Sequence, residues 1–236
     1  MTDIILYVLL LVTVVLSLVA QVRVSTTYRK YSRISAGRGR SGAEVARRIL
    51  DCHGLFDVRI ERVGGELTDH YDPRSRVLRL SRGVHDSSSA AAVGVAAHEV
   101  GHAIQHAEDY TPLVIRSKLV PAVSFASRFS WIAILLGIII TGFSTAFSSV
   151  GSYILFGGII LFAVTTLFHL VTLPVELNAS RRALAELGLT GWYSDTELSD
   201  AKRVLSAAAM TYLAALAVSV LQLLRLLLMF SRTRRD

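Results

Sequence analysis

Apolar positions fall into three long uncharged runs, one of them long enough for two helices, separated by polar stretches that carry most of the charge. Residues 4–22 hold no Asp, Glu, Lys or Arg, and a run of 19 residues suits one helix across a hydrocarbon core of roughly 30 Å. The run lacks the basic start and small-residue cleavage site of a signal peptide, so it reads as an uncleaved span. Residues 129–175 then continue for 47 positions without a charge. One helix of that length would reach about 70 Å, so the run must fold back. The turn-like cluster Ser148-Ser149-Val150-Gly151-Ser152 predicts where, giving antiparallel helices over 123–147 and 153–173. Residues 204–224 form the last run and supply a fourth segment of span length, less apolar at its start, and 204–230 either spans or lies in the interface.

The region between the first two runs, 23–121, has the pattern of a small folded domain. Ser41-Gly42-Ala43-Glu44 has capping-box spacing and opens a helix with Val45, Ile49 and Leu50 on one side. Gly54 is placed to end it. Val58, Ile60 and Val63 alternate as in a strand, and 67–71 and 77–81 predict two more, joined through Asp72-Pro73-Arg74-Ser75. Arg79 among Val77, Leu78 and Leu80 predicts an exposed sheet. Ser87-Ser88-Ser89 offers an N-cap to an alanine-rich helix over 90–107. The expected fold is therefore a mainly α integral membrane protein. It has about four transmembrane helices and a small α+β cytoplasmic domain.

Composition agrees: 52% of residues are hydrophobic and 18% charged, against about 25% charged in soluble domains. Cys52 is alone, which excludes a disulfide-stapled secreted fold. Of 25 Lys and Arg, 16 lie between Arg23 and Lys118, and none precedes the first run. Positive charge favours the cytoplasmic side, so 23–121 is expected inside, 122–173 as a membrane hairpin, and 174–203 inside again. Arg232, Arg234 and Arg235 oppose the placement of the tail outside. The basic cluster lies nearest anionic headgroups, so lipid is its expected partner and nucleic acid is not.

The chemistry concentrates in His98-Glu99-Val100-Gly101-His102. Residues four apart share a helix face, so both imidazoles can bind one ion with Glu99 beside it. Zn²⁺ suits such ligands and leaves a position for water, whose proton Glu99 would take. Residues 90–97 are too few to span a bilayer and suit a packed core helix.

A third ligand is required. His106 is eight residues from His98, about 12 Å along the axis, too far to close around the same ion. His53 and His85 lie in undistinguished settings, and His169 lies in an apolar run. His70, flanked by Asp69 and Asp72, is a rival on a strand edge. Glu176 is the leading candidate: it follows Pro174 at the end of the long run, opens an apparent helix over 176–184, and falls on the same predicted side as His98.

Segments 67–81, 94–106 and 173–184 resemble the YugP-type neutral zinc metallopeptidases of bacterial membranes, over nearly the whole chain. The resemblance implies a gluzincin-like, zincin-type domain with His98, His102 and Glu176 as metal ligands and Glu99 as base. The arrangement is similar to the HtpX and prenyl-protein protease group. There an Asp commonly stands four residues after the Glu, where this chain has Ser180, so Ser180 or Asn178 would steady a ligand histidine. A site-2-type intramembrane protease is disfavoured, because it adds an Asp motif within a span and no span here contains Asp. The expected function is zinc-dependent endopeptidase action on protein or peptide substrates. It would occur at the cytoplasmic surface of the inner membrane, with His70 and Tyr71 contacting substrate or oxyanion. The alternative is a non-catalytic, metal-stabilised membrane adaptor or assembly factor.

Overall fold

The computed structural model describes residues 2–143 and 147–233. Most of these are helical, and they divide into two compact units. One comprises the chain up to Val19, 115–173 and the chain from Tyr212; the other comprises 20–114 and 174–211.

Among the described residues, four helices are long and apolar enough to cross a membrane: α1 (Thr2–Tyr31), α5 (Thr111–Phe143), α6 (Ser148–Leu189) and α7 (Asp195–Thr233). In the first unit α5 and α6 approach closely where Gly137 faces Leu155, since a Cβ at Gly137 would lie 2.5 Å from the Leu155 nitrogen. Small residues at such crossings let backbones pack without a hydrophobic drive between helices. Ile134, Leu155, Ile159 and Phe162 form one buried apolar cluster with Leu226 of α7. Thr166 and Ser219 share a buried hydrogen bond of 2.7 Å.

Two sequence expectations change here. Residues 148–152 are not a turn but the first residues of α6, and α5 already ends at Phe143. Serines serve a helix start as readily as a turn, because the hydroxyl competes for the same free N–H groups. Nor does a new helix open at Glu176, since α6 runs through Pro174 to Leu189. The proline removes one main-chain hydrogen bond without ending the helix. The proposed side of Arg234 and Arg235 lies outside the described residues.

The second unit is built around α4 (Ala90–Ala107), capped by the Ser89 hydroxyl, which accepts from the Ala92 N–H. Ala90, Ala91, Ala92, Ala96, Ala97 and Ala103 are buried, so neighbours approach α4 from several sides. α2 (Gly42–Cys52) has the full capping box between Ser41 and Glu44, and Gly54 follows it with φ +69°. The sheet has the order β1-β3-β2, with β1 (Arg59–Val63) parallel and β2 (His70–Asp72) antiparallel to β3 (Val77–Ser81). β2 is shorter than the strand expected over 67–71, because Leu67 turns the chain at φ 55°. β3 is not exposed: as the central strand, covered by α4 and the short α3 (Arg82–His85), it buries Val77, Leu78 and Leu80 completely.

Candidate metal centre

Helical spacing puts His98 and His102 on one face of α4, their ring centroids 4.8 Å apart and nearly perpendicular. The packing of α6 supplies the carboxylate. Glu176 Oε2 lies 3.2 Å from His98 Nε2 and 3.4 Å from His102 Nε2. The ligand atoms of all three residues fall within 4.8 Å of one another, and His102 and Glu176 are buried. Ligands about 2 Å from a tetrahedral ion stand about 3.3 Å apart, so both measured separations fit the edge of a zinc coordination shell.

The outer nitrogens of the rings are held in turn. Gln105 is fully buried, and its amide NH₂ donates to the Val175 carbonyl and to Asn178 Oδ1, each at 2.9 Å. Those two acceptors fix the amide orientation and leave Gln105 Oε1, 3.0 Å away, to accept from His102 Nδ1. A proton on Nδ1 leaves the Nε2 lone pair directed at the centre. Ser180 Oγ lies 3.1 Å from His98 Nδ1, the contact through which a hydroxyl can orient that ring. Asn178 acts one step further out, and also accepts from Arg182 Nε at 2.8 Å. Gln105 was not among the candidates from sequence; its signal was a polar side chain one turn beyond His102, on the face of α4 that carries both histidines.

Glu99 is also buried, adjacent to His98 on α4 but outside the three-residue cluster. Its Oε2 accepts from the Tyr71 main-chain N–H at 3.0 Å, so strand β2 holds the carboxylate. The Tyr71 hydroxyl lies 2.9 Å from His106 Nδ1, and burial raises its pKa. His70 is exposed; its Nδ1 lies 2.8 Å from the Thr68 carbonyl, and it does not join the cluster. Asp69 accepts from the Ser81 N–H and hydroxyl at 2.7 and 3.0 Å, which anchors the approach to β2. Burial raises the Asp69 pKa, the Ser81 bonds oppose this, and the charge of Glu99 adds to the rise.

Residues 6–231 match the protein family described as "putative neutral zinc metallopeptidase". The chain is 47% identical, over 94% of its own length and 94% of the relative's, to a Bacillus subtilis (strain 168) protein described as "Putative membrane protease YugP". No solved structure matches it. A match over nearly the whole chain, with a His-His-Glu group spaced for a tetrahedral ion, makes Zn²⁺ the cofactor, and the chain belongs to this family of neutral zinc metallopeptidases.

Proposed function

We propose that the protein is a multi-pass membrane endopeptidase that hydrolyses peptide bonds of protein or peptide substrates at the cytoplasmic membrane surface. The single observation that carries the reading is the convergence of His98, His102 and Glu176 with Glu99 held beside them. The proposed ligands are those three residues, and Glu99 is the proposed base. A purely structural ion would need no buried carboxylate next to its ligand set. Four apolar helices and exposed apolar side chains along α1 support residence in the membrane. The concentration of Lys and Arg between Arg23 and Lys118 supports a cytoplasmic site.

When bound, the ion supplies a Lewis acid and a water acidified towards a pKa of about 7. Glu99 accepts a proton from the attacking water and delivers it to the leaving amine, its second oxygen steadied by the Tyr71 N–H. Gln105 and Ser180 keep the imidazoles aimed. β2 is an edge strand beside α4, a position from which an extended peptide can be docked by strand addition, with His70 and Tyr71 in contact.

The test is cleavage of an unfolded substrate such as casein by purified, zinc-loaded protein. It is paired with a comparison of membrane proteomes from cells carrying the parent or Glu99→Gln. The parent should cleave casein, and uncleaved substrates should accumulate with the variant. Physiological function that survives Glu99→Gln would instead establish the adaptor role.

A further inference from the structure

Outside the metal centre, one groove gathers cations that the proposed hydrolysis does not use. Arg23 and Lys30 lie on one face of α1, with Thr27 between them; Lys202 and Arg203 lie on one face of α7, with Ser199 and Ser206 one turn to either side. Together they line a cavity of about 510 Å³, within a single compact unit. Arg203 Nη1 donates to the Tyr31 hydroxyl at 3.0 Å, which fixes the two helices against each other. The Lys30 ammonium lies 5.3 Å from the Tyr31 ring centroid.

Neither contact neutralises a charge. Among the described residues, four cations line the cavity and no acid does. Asp200 acts on Arg203 at a distance but is not part of the lining. Like charges converging on one cavity repel unless an anion sits among them. Guanidinium forks, ammonium groups and hydroxyls form the donor set that phosphate oxygens accept. The depth is set by the sequence: Arg23 directly follows the uncharged run 4–22, and Arg203 directly precedes the uncharged run 204–224. The cations therefore stand where both apolar runs meet the polar region, the level of lipid headgroups.

We propose that the groove between α1 and α7 binds the phosphate of an anionic lipid headgroup through Arg23, Lys30, Lys202 and Arg203. The inference rests on the membrane-spanning reading and is independent of the peptidase chemistry.

The experiment is native mass spectrometry of the full-length, zinc-loaded protein in a non-ionic detergent, with phosphatidylglycerol and phosphatidylcholine supplied at equal concentration. The parent should retain phosphatidylglycerol in preference. Each cation near the surface is worth about fivefold in affinity, so Arg23→Gln/Lys30→Gln/Lys202→Gln should weaken retention about a hundredfold. Lys118→Gln, outside the groove, should leave it unchanged. Arg203 is kept because it ties Tyr31. If the triple variant does not fold, Lys202→Gln alone decides the matter, with an expected loss of about fivefold. Equal retention of both lipids by the parent would overturn the proposal, as would undiminished phosphatidylglycerol retention by the folded variants. Displacement of the lipid by inorganic phosphate would reassign the groove to soluble phosphate compounds and overturn the lipid assignment. Release of the protein from membranes by alkaline carbonate would overturn the membrane reading itself. A protein that stays in the membrane without discriminating the lipids overturns this inference only.

Discussion

Gly101 of α4 lies against the main chain of Ala179 on α6, so closely that a Cβ there would stand 2.7 Å from the Ala179 carbonyl oxygen and 3.2 Å from its Cα. Gly101 immediately precedes His102, and Ala179 is less than one turn beyond Glu176. The missing side chain thus sets how near the imidazole face comes to the carboxylate. Gly101→Ala should force the helices apart, cost about 1–3 kcal/mol, and weaken zinc binding. Gly94→Ala is the contrast: its Cβ would meet Ala201 at an ordinary 3.6 Å, and the gain in helix propensity is up to ~1 kcal/mol. Zinc content and melting temperature of both variants check the pair, and equal behaviour would refute the role of the close approach.

Ligand and base should separate by mutation. His98→Ala, His102→Ala and Glu176→Ala should each lose most of the zinc and lower the melting temperature, because metal binding is coupled to folding. Glu99→Gln should retain zinc and fold, since its amide oxygen can still accept from the Tyr71 N–H. It should nevertheless lose about 10²–10⁴ in hydrolytic rate for want of a proton acceptor. Zinc retained in full by Glu176→Ala would move the third ligand elsewhere.

Gln105 links His102 to Val175 and Asn178 from a fully buried position, so its removal takes away the amide that orients the His102 ring and ties it to α6. Gln105→Leu should weaken zinc binding about 10–100-fold, the range for a group that orients a metal ligand. Ser180→Ala, which removes one contact to His98 Nδ1, should fall at the lower end of that range. Competition with a chelator of known affinity measures both effects. Ser180→Asp would put a carboxylate against His98 Nδ1 and should raise the zinc affinity of the site above that of the parent.

Topology is accessible through cysteine labelling on a Cys52→Ser background. A probe at Ser75, on the turn between β2 and β3, should be protected in intact cells. One at Ser149, in the first turn of α6, should react. The reverse pattern would place the metal centre outside and redirect the search for substrates.

The features legible without the fold are those that depend on local periodicity. Uncharged runs of the length a bilayer requires, or more, favour long helices, which satisfy their own backbone polar groups without water. The capping box of α2, the Ser89 cap of α4 and the one-face spacing of His98 and His102 are likewise contacts within one turn, written where they act. Tertiary structure decided what depends on residues far apart. Glu176, favoured by the sequence over His70, reaches His98 from 78 positions away, and the packing of α6 on α4 is what brings its carboxylate to 3.2 Å. Gln105 gained its role from an Asn 73 positions on, and β3 was buried by neighbours its own alternation could not announce. Pro174 and the serines of 148–152 misled for the same reason: a residue's own tendency to break or turn is small beside the packing of a helix that continues through it.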